Sequence, residues 1–314
     1  MHFKKEVFVS KENFKIKDYS KFIICADIGG TKTDVAIAGI KEKPEIIFIH
    51  KIKSAEINNF VDIINETLRI AKEEYDINID TGCFAAAGPV KDGFVKLTNL
   101  DLTIDKETII KNSFLRNVKI MNDFEALANG LKFLNKNNEK DIVKLNKNPD
   151  VKGDVCLLGA GTGLGVGFII DGEAYASEAG HMEFPAENDF ECNLVKKLKN
   201  PEYEDLVSGK GLVNIYQFLH KTKKTITPEE ITDSKTLELF VKFYARAAKN
   251  MVLMSMSKSV YLAGGIAPRL ISFLKKGFIK EFVKSKKMST LLKKMPVYVI
   301  MKRNATLLGA ASAI

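Results

Sequence analysis

Two glycine-threonine turns lie about 130 residues apart in this 314-residue chain, Asp27-Ile28-Gly29-Gly30-Thr31-Lys32-Thr33 and Gly159-Ala160-Gly161-Thr162-Gly163-Leu164-Gly165. The first separates Phe22–Ala26 from Val35–Ala38, and the second separates Val155–Leu158 from Val166–Ile170. Apolar runs flanking a tight glycine turn predict two β-hairpins. Glycine amides at such a turn can converge on an anion with no side chain in the way, so a pair of them, one per half of the chain, points to a clamp on a polyphosphate. The glycines at 159, 161, 163, 165 and 167 recur with period two, which leaves one face of that stretch bare for close approach by a ligand or another backbone.

The other common phosphate motifs do not fit. A P-loop opens a helix after G-x-x-x-x-G-K-[ST], whereas Lys32 follows Thr31 and leads into strand-like residues. The dinucleotide fingerprint G-x-G-x-x-G also fails, because its last glycine falls on Leu164, Val166 or Phe168 when started from Gly159, Gly161 or Gly163.

The length accommodates two domains. With 46% hydrophobic and 28% charged residues, there is material for sizeable cores. The formal charge of +9 raises the question of nucleic acid, but the lysines are scattered and cluster only modestly at Lys221–Lys224 and Lys284–Lys287. A solvated surface with mild attraction for anionic substrates is the expectation, with no nucleic-acid partner. The stretch before Phe22 is too short for a helix-turn-helix domain, and no function is read from it. It also lacks the apolar middle of a signal peptide, and no run of 18 apolar residues occurs, so a cytoplasmic protein with no membrane partner is expected. Cys25, Cys83, Cys156 and Cys192 show no C-x-x-C spacing and are expected to be small buried hydrophobes in a reducing compartment.

Between the hairpins, helical spacing of Phe60, Ile64, Leu68 and Ala71 predicts a helix over about 57–75. Cys83–Ala87 reads as a buried strand ending at Gly88-Pro89, and Val118–Met121 as another strand before a helix opened by Asn122-Asp123. The polar segment 135–152 separates the halves. Beyond the second hairpin, Ser208–Gly211 precedes a helix, a longer helix spans about 234–256, and the strand Val260–Ala263 runs into Gly264-Gly265, with Pro268 starting another helix. Strands and helices mix throughout, so the class is α/β, and the two hairpin-plus-helix halves suggest an ancient duplication.

With these pieces in order, the sequence resembles the bacterial-type glucokinase family of the actin-like sugar-kinase superfamily. The likeness runs from Phe22 to Leu307–Ala311 and rests on six motifs in family order: Asp27–Thr33, Ala87–Val90, Asn122–Phe124, Gly159–Gly165, Glu178–His181 and Leu206–Leu212. Gly264-Gly265 supplies an adenosine-loop element. The resemblance implies a two-lobed actin-like, ribonuclease H-like ATPase fold with mixed sheets flanked by helices and a central cleft. Its small domain would be 1–132 plus 304–314, with residues 1–20 an extension, and its large domain 133–303.

It further implies ATP-dependent phosphorylation of glucose, with ATP held between the two hairpins and the lobes closing on the sugar. Asp123 would be the catalytic base, because a hexose hydroxyl is a poor nucleophile unless a carboxylate takes its proton. By itself an aspartate opening a helix is explained by capping; the matching motif turns the expectation to catalysis. Asn122, Asp123, Glu178, His181 and Glu204 match the family's sugar contacts, and Thr98 and Asn99 are further candidates with a plain polar turn as the alternative. Amide, carboxylate and imidazole groups suit a ring of hydroxyls that donate and accept. Glu178-x-x-His181 could also supply two metal ligands, but the zinc-carrying relatives have a cysteine cluster after this histidine and only Cys192 follows here. Gly29, Gly30, Thr31, Thr33, Gly161, Thr162 and Gly163 would meet the triphosphate. Lys32 would either neutralise phosphate charge or simply be solvated, and Gly264 and Gly265 would let adenosine approach the backbone. Asp27 would organise Mg2+ through water.

Two departures, Ala179 where glycine is frequent and Asp205 where arginine is frequent, leave hexose preference open. Alternatives are a kinase for mannose, an amino sugar or another hexose, and a non-catalytic sugar sensor on the same scaffold. A homodimer is also left open.

Overall fold

The computed structural model describes residues 6–9, 14–97 and 100–314, and the chain divides into two compact units, 1–134 with 304–314 and 135–303. The first unit is built on a six-stranded sheet of order β1-β4-β3-β2-β5-β8. Its strands are β1 (Glu6–Val9), β2 (Lys21–Ile28), β3 (Lys32–Ile40), β4 (Pro44–Lys53), β5 (Thr81–Ala86) and β8 (Asn117–Asn122), while β6 (Phe94–Lys96) and β7 (Thr103–Asp105) form a separate hairpin. β1 to β4 pair antiparallel as a meander, and β2, β5 and β8 run parallel.

β2 carries the continuous apolar run Ile23–Ala26 and not an alternating pattern because both faces of its sheet are covered. On one side the cover is α1 (Phe60–Tyr75) and α2 (Lys106–Asn112), whose buried Phe60, Ile63, Ile64, Leu68 and Ile109 join Ile24, Ile37 and Phe84 in one core. α1 begins at Phe60, a turn later than its apolar spacing suggests, because the Asn59 side chain accepts from the Val61 N–H (3.0 Å) and caps the helix there. α3 (Asp123–Gly130) lies on the other face.

The second unit has a sheet of order β12-β11-β10-β13-β14-β9. Its strands are β9 (Ile142–Lys144), β10 (Val155–Ala160), β11 (Leu164–Ile170), β12 (Glu173–Ser177), β13 (Ser259–Ala263) and β14 (Val297–Ile300). The meander β12-β11-β10 beside parallel β13 and β14 repeats the order β4-β3-β2 beside parallel β5 and β8, so the two cores share a five-strand topology. The polar segment 135–152 is more than a separator, for it contains β9, which pairs with β14. α4 (Asp189–Leu198), α5 (Gly209–Leu219) and α6 (Ser234–Ser255) pack with short α7 (Ile266–Arg269), α8 (Ile271–Phe273), α9 (Ile279–Phe282) and α10 (Ser289–Lys293). Ser208 caps α5 so that Gly209 is already its first residue, and Pro268 stands third in α7 and does not start it. Cys25, Cys83 and Cys156 are buried inside strands, but Cys192 is exposed on α4, correcting its expected burial.

The chain ends back in the first unit with α11 (Ala305–Ala311), which crosses α3 on the sheet face formed by Cys25, Ala36, Cys83 and Ala85. A Cβ on Gly309 would lie 1.7 Å from the Ala126 carbonyl oxygen, and one on Gly130 would lie 2.1 Å from that of Ala305. The helices touch backbone to backbone, which only glycine permits at these two points. Gly309→Ala must push them apart, and overpacking of this kind costs about 3 kcal/mol; a lowered urea midpoint with an unchanged m value is the expected result.

Candidate active site

In the first unit Ile28, Ala86 and Asn122 stand side by side at the carboxyl ends of the parallel strands β2, β5 and β8. That edge is where open α/β sheets take ligands. Three features of the chain gather on it: the turn 29–31, Gly88 with its positive φ of 130°, and the start of α3. Gly29 N–H donates to Lys32 O (3.1 Å), closing the turn. Ser54, from the short turn after β4, holds it from behind: Ser54 N–H donates to Thr31 O (3.1 Å), its hydroxyl donates to Gly29 O (2.7 Å), and the Thr33 hydroxyl lies 2.9 Å from it. Thr33 is fully buried, so its hydroxyl supports the turn from within, while Thr31 and Lys32 are exposed and Gly29 and Gly30 partly so. Ser54 carries no motif, and its part in the site emerges only from the fold.

Asp27 stands opposite Asp34 in the β2–β3 register. Burial, and then the Asp34 charge, push its carboxyl up to about 6, against a hydrogen bond from Thr306 of α11. Asp34 is also raised by burial, with Lys51 and Lys32 opposing. A carboxylate held at such a cost is one that a nearby cation would relieve.

Asn122 is the cap of α3: its Oδ1 accepts from Phe124 N–H (2.8 Å), and its Nδ2 donates to Gly88 O (3.0 Å), tying the ends of β5 and β8 together. Asp123 Oδ1 also lies within hydrogen-bond reach of Phe124 N–H (3.0 Å). Because the neighbouring amide already supplies the cap, helix capping alone does not account for an acid at 123. Thr98 and Asn99 lie outside the described residues.

In the second unit the turn 161–163 joins β10 to β11, closed by Gly161 N–H donating to Gly163 O (2.9 Å). Gly159 and Gly165 face each other across this hairpin. The first amide of α5, Gly209 N–H, donates to Gly161 O (2.8 Å), so a helix N-terminus abuts the turn. Gly264, φ +81°, packs so tightly on β10 that a Cβ would lie 2.3 Å from Ala160 O. By contrast, a Cβ on Gly161 or Gly265 would meet nothing within 4 Å, leaving both backbones open to approach. The two glycine turns 161–163 and 264–265 follow the adjacent parallel strands β10 and β13 and therefore share one edge.

Beside that turn lies an acidic group. Glu204 Oε2 accepts from Leu164 N–H (2.8 Å), which fastens the carboxylate to the hairpin. Glu204 N–H donates to Gly180 O (3.0 Å), bringing it next to the short 3-10 turn Ala179–His181. His181 Nδ1 is 2.7 Å from Glu202 Oε2, and its Nε2 is 3.9 Å from Glu178 Oε2. The hydrogen bond with Glu202 raises the His181 pKa, partly opposed by desolvation and reinforced by the charges of Glu204, Glu202 and Glu178. Glu202 was not singled out from the sequence; only its position two residues before Glu204 hinted at it. The family departure Asp205 forms an ion pair with Lys210 (2.9 Å), and Ala179 is buried. Among the described residues no three or more His, Cys, Asp or Glu side chains are grouped to hold a metal ion, and Glu178 and His181 lie on a single tight turn, not on a helix face.

The family model for glucokinase matches residues 24–314. This chain belongs to the glucokinase family. It is 30% identical to the glucokinase of Nostoc punctiforme over 338 residues, covering 92% of this chain and 97% of the relative. It is 27% identical to that of Salmonella schwarzengrund over 320 residues, covering 93% and 97%. Among solved structures, the glucokinase of an Antarctic psychrotroph superposes with a TM-score of 0.78 at 25% identity, covering 93% of this chain and 98% of that one. The Balamuthia mandrillaris glucokinase, solved with glucose, gives 0.80 at 20% identity, covering 93% and 92%, a likeness of fold. The fold is thus that of the sugar kinases, with mixed sheets flanked by helices.

Two outcomes test this geometry. Asp27 has a folded pKa of about 6 against 3.8 when unfolded, so the folded state binds the proton more tightly. The cost of its charge is absent below 3.8 and complete above 6, so Asp27→Asn should stabilise the fold by about 3 kcal/mol at pH 7.5, with the gain fading as pH falls toward 4; urea melts across that range check it. A Cβ on Gly163 would lie 2.3 Å from Glu204 Oε2, the mobile end of a side chain. Gly163→Ala should therefore keep the fold while swinging Glu204 off the Leu164 amide, and a crystal structure would show the displaced carboxylate.

Proposed function

We propose that this glucokinase-family chain transfers the γ-phosphoryl group of ATP to the 6-hydroxyl of glucose, with Asp123 as the general base. The observation that carries the assignment is the placement of Asp123 at the strand edge that also bears the turn 29–31, in the first turn of a helix whose cap is already supplied by Asn122. There the carboxylate is held by rigid elements, with one oxygen against the Phe124 amide (3.0 Å). As the sugar oxygen attacks phosphorus, its O–H bond breaks and the proton passes to the Asp123 carboxylate, while the bond to the ADP oxygen opens.

The other roles follow from chemistry. Glu178, His181 and Glu204 would supply the mixed donors and acceptors that a hexose needs, and the Asn122 amide is of the same chemistry. The turns themselves suit phosphate oxygens: Gly29 and Gly161, whose amides close the bends, would leave room for close approach, while the amides of Gly30 and Gly163 and the hydroxyls of Thr31 and Thr162 would donate. Lys32, exposed at the head of β3, would add positive charge near them. Gly264 and Gly265 would admit adenosine, since the backbone at Gly265 is unobstructed.

Magnesium fits Asp27, a carboxylate strained by burial and by Asp34, and would be held mostly through water and the nucleotide's own oxygens. When bound it would neutralise phosphate charge. A small domain of 1–132 with 304–314 and a large one of 133–303 is the division this function uses. No described helix is long and apolar enough to cross a membrane, and the three buried cysteines are free, as a cytoplasmic enzyme acting on glucose would have them.

A sensor on the same scaffold would bind glucose without consuming ATP, so a coupled ADP-release assay with and without glucose separates the two. Asp123→Ala should lower kcat about 1,000-fold, within the range a general base contributes. Glucose binding measured by calorimetry should persist in that variant, and near-normal turnover would remove Asp123 from its role.

A further inference from the structure

The His181 ring is contacted at both edges by carboxylates of different kinds. Glu202 meets Nδ1 at 2.7 Å, a full charge-assisted hydrogen bond, whereas Glu178 stands 3.9 Å from Nε2, too far for a bond but close enough for one hydroxyl oxygen to touch both. Glu202 is itself placed by the backbone: its N–H donates to Asp205 Oδ2 (3.1 Å), and residues 183 and 202 form an antiparallel bridge. The backbone that carries the carboxylate is thus anchored, and the bond to Nδ1 holds the side chain itself.

We propose that Glu202 is a positioning residue for sugar recognition: by accepting from Nδ1–H it orients the His181 ring and favours the imidazolium, so that Nε2–H donates to a hexose hydroxyl whose own proton is given to Glu178. This deepens the reading of Glu178 and His181 as sugar contacts and rests on it. A neutral imidazole with its proton on Nδ1 would offer Nε2 only as an acceptor, and the hydroxyl would then face two acceptors with one proton. With both nitrogens protonated, every donor and acceptor of the arrangement is matched. Of the charged groups around the ring, Glu178, Glu202 and Glu204 favour the cation, Asp205 also interacts with its charge, and Lys210, paired with Asp205, is a cation facing Glu202 and Glu204 from α5.

Sugar affinity should then decline as pH rises through the His181 pKa. The experiment compares wild type, Glu202→Gln and Glu202→Asp in steady-state kinetics from pH 6 to 9, with the His181 Cε1–H followed by NMR titration in the same proteins. Glu202→Gln should raise the KM for glucose about tenfold at pH 7.5, with the change concentrated in that constant and not in kcat or the KM for ATP. Its KM should begin to climb at lower pH than in wild type, its His181 pKa should fall, and Glu202→Asp should restore part of both. An unaltered His181 pKa in Glu202→Gln would overturn the proposal, as would equal losses in kcat and in the KM for both substrates. A lowered His181 pKa with unchanged glucose KM would instead overturn His181 as a sugar contact while leaving its pairing with Glu202 intact.

Discussion

The backbone contact between α3 and α11 is the constraint on which the first unit depends. Two glycines, Gly130 and Gly309, let the helices meet at a separation no side chain would allow. Two consequences follow from that one approach. α3 begins with Asp123, so its seating on α11 sets that carboxylate at the end of β8. α11 also carries Thr306, whose hydroxyl reaches Asp27 at the end of β2. A single small-residue crossing thus holds the acid proposed for catalysis and the acid proposed for the cation in register with the same strand edge.

The site also shows where stability is given up. Asp27 is charged at neutral pH in a place that resists charge, and the acidic set Glu178, Glu202, Glu204 and Asp205 crowds one turn of the second unit. Neither arrangement would be selected for folding alone. Each is supported by local compensation, Thr306 at Asp27, His181 between Glu202 and Glu178, and Lys210 at Asp205, and each is eased further by a ligand of the right chemistry.

Much of this was legible in the sequence, for identifiable reasons. Short side-chain-poor links between apolar runs announce hairpins, and both hairpins form with their turns at 29–31 and 161–163. The long apolar spacing of α6 is likewise hard to mistake. What escaped is what depends on distant partners. β9 is three residues in a polar stretch and exists because β14 offers it an edge. The start of α1 is set by Asn59, an isolated cap that apolar spacing does not register. Ser54 and Glu202 sit outside any motif, and only the fold brings one under the turn at Gly29 and the other to His181.

The first unit is assembled from two segments separated by the whole of the second, and this bears on synthesis. Until α11 leaves the ribosome, the sheet face formed by Cys25, Ala36, Ala38, Cys83 and Ala85 lacks Leu307, Leu308, Ala310 and Ala311, its cover. The nascent polypeptide therefore carries an uncovered apolar surface through the making of the entire second unit, whose own core closes within a continuous stretch. The order of biogenesis is inverted relative to the order of the code: this core begins before the second unit and is completed after it, and exposure of that face to chaperones or to neighbouring nascent chains lasts until the codons for α11 are read.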